Sequence, residues 1–260
     1  MIQDDWEERI KTQWLDMKRR IREEVIHQFG AEDCENKIED FSAIGPQPWS
    51  VAAGHNQNLR AARKAFVAGA YYPALVATTA LGERILNQVI LELRDFFPQH
   101  PATKRVAAKS AFDNWTVMIR VLRAWDVLPQ DVADNLERLR RLRNDVVHYN
   151  LPTLDAAARD EALEALQLLQ ASIERLFHPD PTRHLIPGID GCEFFRLDAE
   201  TEPFVQRFFL PASVLVSPEH EWAYVGEPTV SDNQHYGMAE GITVLSDEDF
   251  AARFNDAKAA

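Results

Sequence analysis

Cysteine is scarce in this chain, since Cys34 and Cys192 are the only two among 260 residues. They lie far apart, and no second Cys or His stands at a spacing typical of metal ligands. The sequence therefore supports neither a disulfide framework nor a zinc site. We expect two buried or idle thiols, no metal and no other cofactor.

Long apolar runs are also missing. No stretch has the roughly 20 apolar residues that span a bilayer. The beginning of the chain, MIQDDWEERIKTQWLDMKRR, is charged throughout and lacks the apolar core of a secretory signal. These features predict a cytoplasmic protein with no membrane partner. At 46% hydrophobic residues, the chain has ample apolar content for a buried core.

Basic residues are outnumbered, with 28 Lys and Arg against 41 Asp and Glu and a net charge of −13. This balance argues against a protein that coats nucleic acid indiscriminately, because phosphate binding depends on clustered Lys and Arg. The charge is uneven, however. Residues 101–145 carry nine basic and six acidic residues, whereas residues 178–260 carry five and fifteen.

Several catalytic signatures are absent as well. There is no Gly-rich phosphate loop and no Ser flanked by the glycines of a nucleophile elbow. His220 and His235 have no second ligand at metal spacing, so we interpret both as exposed loop residues.

Helical periodicity dominates the chain as far as residue 178. A long N-terminal helix is predicted from an apolar stripe at steps of three and four residues: Trp6, Ile10, Trp14, Met17, Ile21 and Val25. This stripe must pack against either the rest of the chain or a second copy. Residues 30–50, with Pro46 and Pro48, predict a linker.

Five further helices are predicted between residues 51 and 178. They cover 51–68, ending near Gly69; 73–98, with Pro73 in the first turn; 106–125; a stretch from about Pro129; and a stretch after the N-cap Thr153. Together they predict an antiparallel helical bundle.

The composition changes beyond His178. A Pro-rich break is followed by runs that favour short strands, namely CEFFRL, PFVQRFFL, ASVLVS, WAYVG and GITVL. A last helix should begin at Ser246, with Asp249 completing a capping box. We therefore predict a mainly α fold in three parts: helix and linker (1–50), bundle (51–178) and an acidic, β-rich α+β C-terminal module (179–260).

The segment RNDVVH, residues 143–148, places Arg143 five residues before His148, with Asn144 between them. This spacing alone has little specificity, because REEVIH repeats it at Arg22 and His27. We interpret that second match as a solvated helix face, since Glu23 follows the Arg.

Context separates the two matches. Residues 143–148 lie at the end of the fourth bundle helix, and an earlier helix contains GAYYPALVATTALGERIL. Together they resemble the HEPN superfamily, whose members pair a helix of the form G-x-Y-x-x-A … E-x-x-L with a later R-(N/D/H)-x-x-x-H motif. The matching positions are Gly69, Tyr71 or Tyr72, Ala74, Glu83, Leu86, Arg143, Asn144 and His148. The resemblance covers about residues 51–178.

The resemblance implies a bundle that dimerises so that two copies of the motif face one cleft. In many members this cleft is a metal-independent endoribonuclease site, and toxins and defence effectors are among them. RNA, including tRNA, is thus the expected substrate. Some HEPN toxins carry a Tyr two residues after the His, where a partner nucleotidyltransferase modifies it; here Asn150 occupies that position, so this regulation is not expected.

The residue types suit cleavage through the ribose 2′-hydroxyl. His148 has an ordinary pKa near neutrality and can exchange a proton. The planar fork of Arg143 can hold two phosphate oxygens and stabilise the transition state, and Asn144 can orient the phosphate or the imidazole. On one continuous helix Arg143 and His148 would point about 140° apart. Bringing them together requires a two-fold axis or a helix break before His148.

Neighbouring residues have supporting roles in this hypothesis. Arg138 and Arg140 are candidate RNA contacts, whereas Arg141 has Glu137 and Asp145 one turn away and is expected to form salt bridges. Glu83 can either fix Arg143 or pair with one of three arginines: Arg84, Arg60 or Arg63.

The acidic C-terminal module should repel RNA. We expect it to recognise a protein partner such as an antitoxin or regulator, to cover the cleft, or to strengthen the dimer. The main alternative is a non-catalytic, HEPN-like dimeric scaffold or protein-binding module. A third hypothesis is an unrelated helical adaptor.

Overall fold

The computed structural model describes residues 6–108, 110, 114–147, 156–189, 194–212, 222–223, 229–230 and 245–259. This part of the chain is mainly helical, as predicted. The α-helices are α1 (Glu8–Phe29), α2 (Cys34–Ala43), α3 (Ala53–Val67), α4 (Tyr71–Leu93), α5 (Trp115–Ala124), α6 (Gln130–Val147), α7 (Ala156–Phe177) and α8 (Asp247–Ala259).

Three residues that the sequence placed at helix ends lie there in the structure. Gly69 follows α3 with a φ of 77°, a left-handed conformation that glycine adopts at low cost. Pro73 lies in the first turn of α4, where its missing N–H is no loss. At α8, the Asp249 N–H donates to Ser246 Oγ at 3.2 Å, which is one of the two hydrogen bonds of the predicted capping box.

Two expected boundaries were wrong. The predicted linker contains α2, which the prolines after it concealed; Cys34, Ile38 and Phe41 nevertheless have helical spacing. The helix expected at 106–125 begins only at Trp115, where the Asn114 side chain accepts the Val117 N–H at 3.1 Å. Before it, Pro101–Arg105 forms a 3₁₀ helix.

The strand expected in PFVQRFFL was also wrong, because Val205–Phe209 is a π-helix. Phe204 with Phe208, and Val205 with Phe209, repeat at four residues, so one helical face carries all four apolar side chains. Two short strands, β1 (Trp222–Ala223) and β2 (Thr229–Val230), pair antiparallel. Most of ASVLVS and GITVL lies outside the described residues.

The described residues group into two compact units. The first comprises those within Met1–Pro48, Gln57–Gly82 and Arg138–Gln170; the second comprises those within Trp49–Asn56, Glu83–Glu137 and Ala171–Ala260. Four helices, α3, α4, α6 and α7, contribute residues to both.

A buried carboxylate joins three helices in the first unit. Asp40 of α2 is only 2% exposed. It accepts hydrogen bonds from the Tyr71 hydroxyl at the start of α4 and from Arg159 Nε of α7, both at 2.8 Å. Because the buried charge is bonded on both oxygens, its desolvation is compensated.

Aromatic rings dominate the core of the second unit. Phe177, at the end of α7, is fully buried and contacts the rings of Phe204 and Phe208. Leu185, Phe195, Val205 and Phe209 form an adjoining cluster. A further cluster holds α8 through Phe250, packed against Ile186, Ile189 and Phe194.

Among the described helices, none has both the length and the apolar character needed to cross a bilayer.

Candidate functional site

Helix α6 carries the described part of the predicted motif. Leu136, Leu139 and Leu142 are buried at three-residue steps and form its inner face. Arg143 and Asn144 follow directly and are only partly buried. The periodicity that buries the leucines thus leaves both motif residues at the border between core and solvent.

The remaining motif residue, His148, lies outside the described residues, as do Tyr149, Asn150 and the predicted N-cap Thr153. The last described residue of α6 is Val147. The distance between Arg143 and His148, and the expected two-fold arrangement, therefore stay predictions.

Arg138 makes a bidentate contact with Glu164 of α7. Its Nε and Nη2 donate to the two carboxylate oxygens at 2.6 and 2.8 Å. These hydrogen bonds lower the pKa of the Glu164 carboxyl. RNA would have to compete with Glu164 for this guanidinium, so Arg138 is less available as a phosphate contact than its position in the sequence indicates.

Arg140 lies one helical turn before Asn144 and is likewise partly buried. Arg141 is exposed on another side of the helix. The arginine-rich run therefore points in several directions, and Arg140 is the member in line with Asn144.

The Ala-rich helix of the predicted motif corresponds to α4. Its two tyrosines differ, since Tyr71 is directed inward to Asp40 whereas Tyr72 is 60% exposed. Ala74 and Leu86 are buried. Tyr71 is thus the tyrosine with a structural function, a choice that the sequence left open.

Glu83 lies midway along α4, in the second unit, and is partly buried. Arg63, considered as one of its partners, donates to the carbonyl of Gly45 at 2.6 Å and to the Gln170 side chain. The proposed action of Glu83 on Arg143 stays a prediction.

In the second segment with this spacing, REEVIH, every residue except Val25 is part of the exposed surface of α1. Arg22 bonds the Glu35 carboxylate, and His27 is exposed on α1. The partner of Arg22 is thus Glu35 of α2.

The buried histidine His55 was not predicted from the sequence. His55 is 4% exposed; its Nδ1 lies 3.1 Å from Ser50 Oγ and its Nε2 lies 3.1 Å from Gln88 Oε1. Burial lowers its pKa, and the charge of Arg84 lowers it further, whereas the hydrogen bond to the Gln88 Oε1 acceptor raises it. Because Ser50 is itself 1% exposed, a substrate has no access to the pair. We assign it a structural role that no spacing in SVAAGHNQ could have indicated.

A small cleft of about 320 Å³ in the second unit was also not anticipated. His184 lines it, with Nδ1 accepting the Asp180 N–H at 2.9 Å. Its two arginines are neutralised, since Arg175 pairs with Asp180 at 2.8 Å and Arg183 with Glu202 at 2.7 Å. The cleft therefore offers little net positive charge to a phosphate. Its only sequence signal was the Pro-rich segment HPDPTRHLIPG, which contains Asp180, Arg183 and His184.

In the described part of the chain, no group of three or more His, Cys, Asp or Glu is placed to hold a metal ion. Comparisons of the chain with protein-family models, curated proteins and solved structures find no match.

Proposed function

We propose that this protein is a metal-independent endoribonuclease of the HEPN type, acting as a homodimer. The observation that carries the proposal is the placement of Arg143 and Asn144 directly after the buried Leu142 of α6, where both are partly buried and still reach solvent. Antiparallel packing of the bundle helices is part of the proposal.

The chemistry divides among three residues. His148 takes the proton of the attacking 2′-hydroxyl or returns one to the leaving oxygen. Arg143 holds two non-bridging oxygens and stabilises the charge that develops on the phosphorane. Asn144 orients the phosphate or the imidazole, and Arg140, one turn before it, is the favoured further RNA contact.

In this proposal, dimerisation brings Arg143 and His148 to the same phosphate. Side chains five residues apart on a continuous α-helix diverge by about 140°. An Arg143 and a His148 from different subunits can face one phosphate across a two-fold axis, so a monomer should be inactive.

The C-terminal residues 179–260 are proposed to form a β-rich α+β module that binds a protein regulator such as an antitoxin. Their excess of acidic residues disfavours RNA and favours a basic partner. A toxin or antiviral effector would use such a contact to remain inactive until needed.

A second candidate function is a non-catalytic dimeric scaffold or protein-binding module. The observation that favours it is the Arg138–Glu164 pair, which engages one of the arginines proposed to bind RNA. A stable complex with a protein and no RNA cleavage would support this function.

The decisive experiment is cleavage of total RNA and tRNA by the purified full chain in EDTA, with analysis of the product ends. We expect 2′,3′-cyclic phosphate ends. The His148→Ala variant should lose about 100-fold or more in rate, because general acid–base catalysis contributes at least that much.

His27→Ala is the matched control, because it removes the histidine of the other Arg and His pair with the same spacing. It should cut like the wild type. Equal cleavage by the wild type and His148→Ala, or wild-type cleavage that EDTA abolishes, would contradict the proposed mechanism.

A further inference from the structure

A cleft of about 920 Å³ in the first unit has largely apolar walls. Its lining residues come from α1, α2, α3 and the segment 44–47, and all of them belong to that unit. The apolar side chains among them include Met17, Ile21, Phe41 and Val67. A volume of this order is typical of pockets that bind small molecules.

The side of the cleft that α1 forms is accessible to water. Val25 is the one buried residue of α1, all of which the structure describes. Met17 is 50% exposed, and Ile21 is partly exposed. An apolar ligand in the cleft would remove part of this surface from water, which favours binding.

One face of α3 brings three cations to the cleft. Arg60, Arg63 and Lys64 have the three- and four-residue spacing of a helix face, and all three line the cleft. No Asp or Glu is among the described residues that line it. Arg60 and Lys64 are exposed, and neither pairs with a described carboxylate. In a chain with a net charge of −13, this local excess of positive charge favours an anionic ligand.

Arg63 carries a buried charge that no carboxylate balances in the described part of the chain. The residue is 8% exposed. Its guanidinium donates to the carbonyls of Ile44 at 3.4 Å and Gly45 at 2.6 Å, and to the Gln170 side chain. These acceptors are all neutral, and burial lowers the pKa of the guanidinium. Because a buried charge without a counter-ion is unfavourable, an anion in the adjoining cleft would stabilise it.

We propose that this cleft binds a small organic anion with an apolar body, of the kind that a medium-chain carboxylate represents. The anionic group lies beside Arg60 and Lys64, and the charge of the buried Arg63 adds to the attraction. The apolar body contacts Met17 and Ile21. The proposal is independent of the nuclease activity, since its residues lie outside the α6 motif.

Isothermal titration calorimetry of the full chain with octanoate, decanoate and dodecanoate, each below its aggregation concentration, tests the proposal. Decanoate should bind with about one molecule per chain. Each extension by two carbons should lower the Kd by about tenfold, because burial of methylene groups drives binding. Decyltrimethylammonium has an apolar chain of similar length and the opposite charge, and its Kd should be higher by about tenfold or more. Absence of decanoate binding, equal binding of the anion and the cation, or a Kd that does not change with chain length would overturn the proposal.

Lys64→Glu tests the cationic face of α3. It should raise the decanoate Kd by about tenfold or more, because an attraction to the carboxylate is replaced by a repulsion. Lys104→Glu is the matched control, with the same change in charge on an exposed lysine that does not line the cleft, and its Kd should equal that of the wild type. Circular dichroism checks that both variants fold. Equal Kd values for the two variants would contradict the assignment.

Met17→Gln tests the apolar wall. It should raise the decanoate Kd by about threefold to tenfold, because fewer apolar atoms contact the chain of the ligand. Leu15→Gln is the matched control, since Leu15 is 54% exposed on α1 and does not line the cleft. The same Kd for both variants would refute the contact with Met17. Decanoate binding with these properties by a protein that cuts no RNA would leave the cleft assignment standing and refute the proposed function alone.

Discussion

At the scale of single residues, His55 is the group through which the fold should respond to pH. It is buried between Ser50, Gln88 and the ring of Phe177, whose centroid is 4.5 Å away. Protonation would place a positive charge in this environment, and burial accordingly lowers the pKa of the imidazole. His184 shifts in the same direction, also through burial.

Stability should therefore decrease on the acid side of neutrality. The unfolded chain has the ordinary histidine pKa near 6.5, so it binds a proton first as the pH falls. The stability that comes from keeping His55 neutral is fully present above this pKa of the unfolded chain. It is lost as the pH falls toward the lower pKa of His55 in the folded protein. Urea unfolding between about pH 7.5 and 5 measures the loss.

His55→Gln should reduce this loss without abolishing it, since His184 contributes in the same window. His27→Gln, a substitution of an exposed histidine on α1, should retain the full loss. The same pH dependence in His55→Gln and the wild type would contradict the assignment to His55.

At the scale of helices, the Asp40 network determines how α2 meets α4 and α7. Tyr71 and Arg159 reach Asp40 from separate helices, and Arg159 also pairs with Glu39 at 3.2 Å. No periodicity of α2 predicts this, because the three residues are distant in sequence.

Removing one donor should weaken the first unit measurably. Tyr71→Phe leaves the buried Asp40 with fewer hydrogen bonds and should lower the free energy of unfolding by about 1.5–3 kcal/mol, the range for a hydrogen bond to a charged group. Tyr72→Phe makes the same chemical change at the exposed neighbour and should cost within about 0.5 kcal/mol. Urea unfolding at neutral pH compares them, and equal effects would refute the structural role of Tyr71.

Helix prediction succeeded where local signals agreed and failed where they conflicted. Gly69, Pro73 and the Ser246 capping box mark ends that depend on backbone chemistry within a few residues. Helix α2 was not predicted, because Pro46 and Pro48 after it favour a linker, although the spacing of its own apolar residues is helical. PFVQRFFL was misread because Phe and Val favour strands, although their four-residue repeat favours a helix.

At the scale of the whole molecule, residues beyond His178 complete a core that begins much earlier in the chain. Phe177 packs against Phe204 and Phe208, and Arg207 pairs with Glu92 of α4. Val51 packs against the cluster of Leu185 and Phe209. These contacts all lie within the second unit.

Truncation should therefore be costly. A chain ending at His178 would expose Phe177 and its neighbours, at about 1.5–3 kcal/mol for each large side chain, and should lose several kcal/mol of stability. A chain ending at residue 212 keeps the Phe204–Phe209 contacts and should lose less. Urea unfolding of both measures the difference, and a 178-residue chain as stable as the full protein would contradict this packing.

The sequence by itself determined the mainly helical character and several helix ends, because periodicity and capping act over a few neighbouring residues. It also indicated the Arg and His motif, whose proposed function awaits experiment. Only the tertiary structure decided that Tyr71 rather than Tyr72 is anchored, that Arg138 pairs with Glu164, that His55 is buried and that the α1 stripe is exposed. Each of these depends on which distant parts of the chain pack together and which do not, and such packing leaves no signal in local spacing.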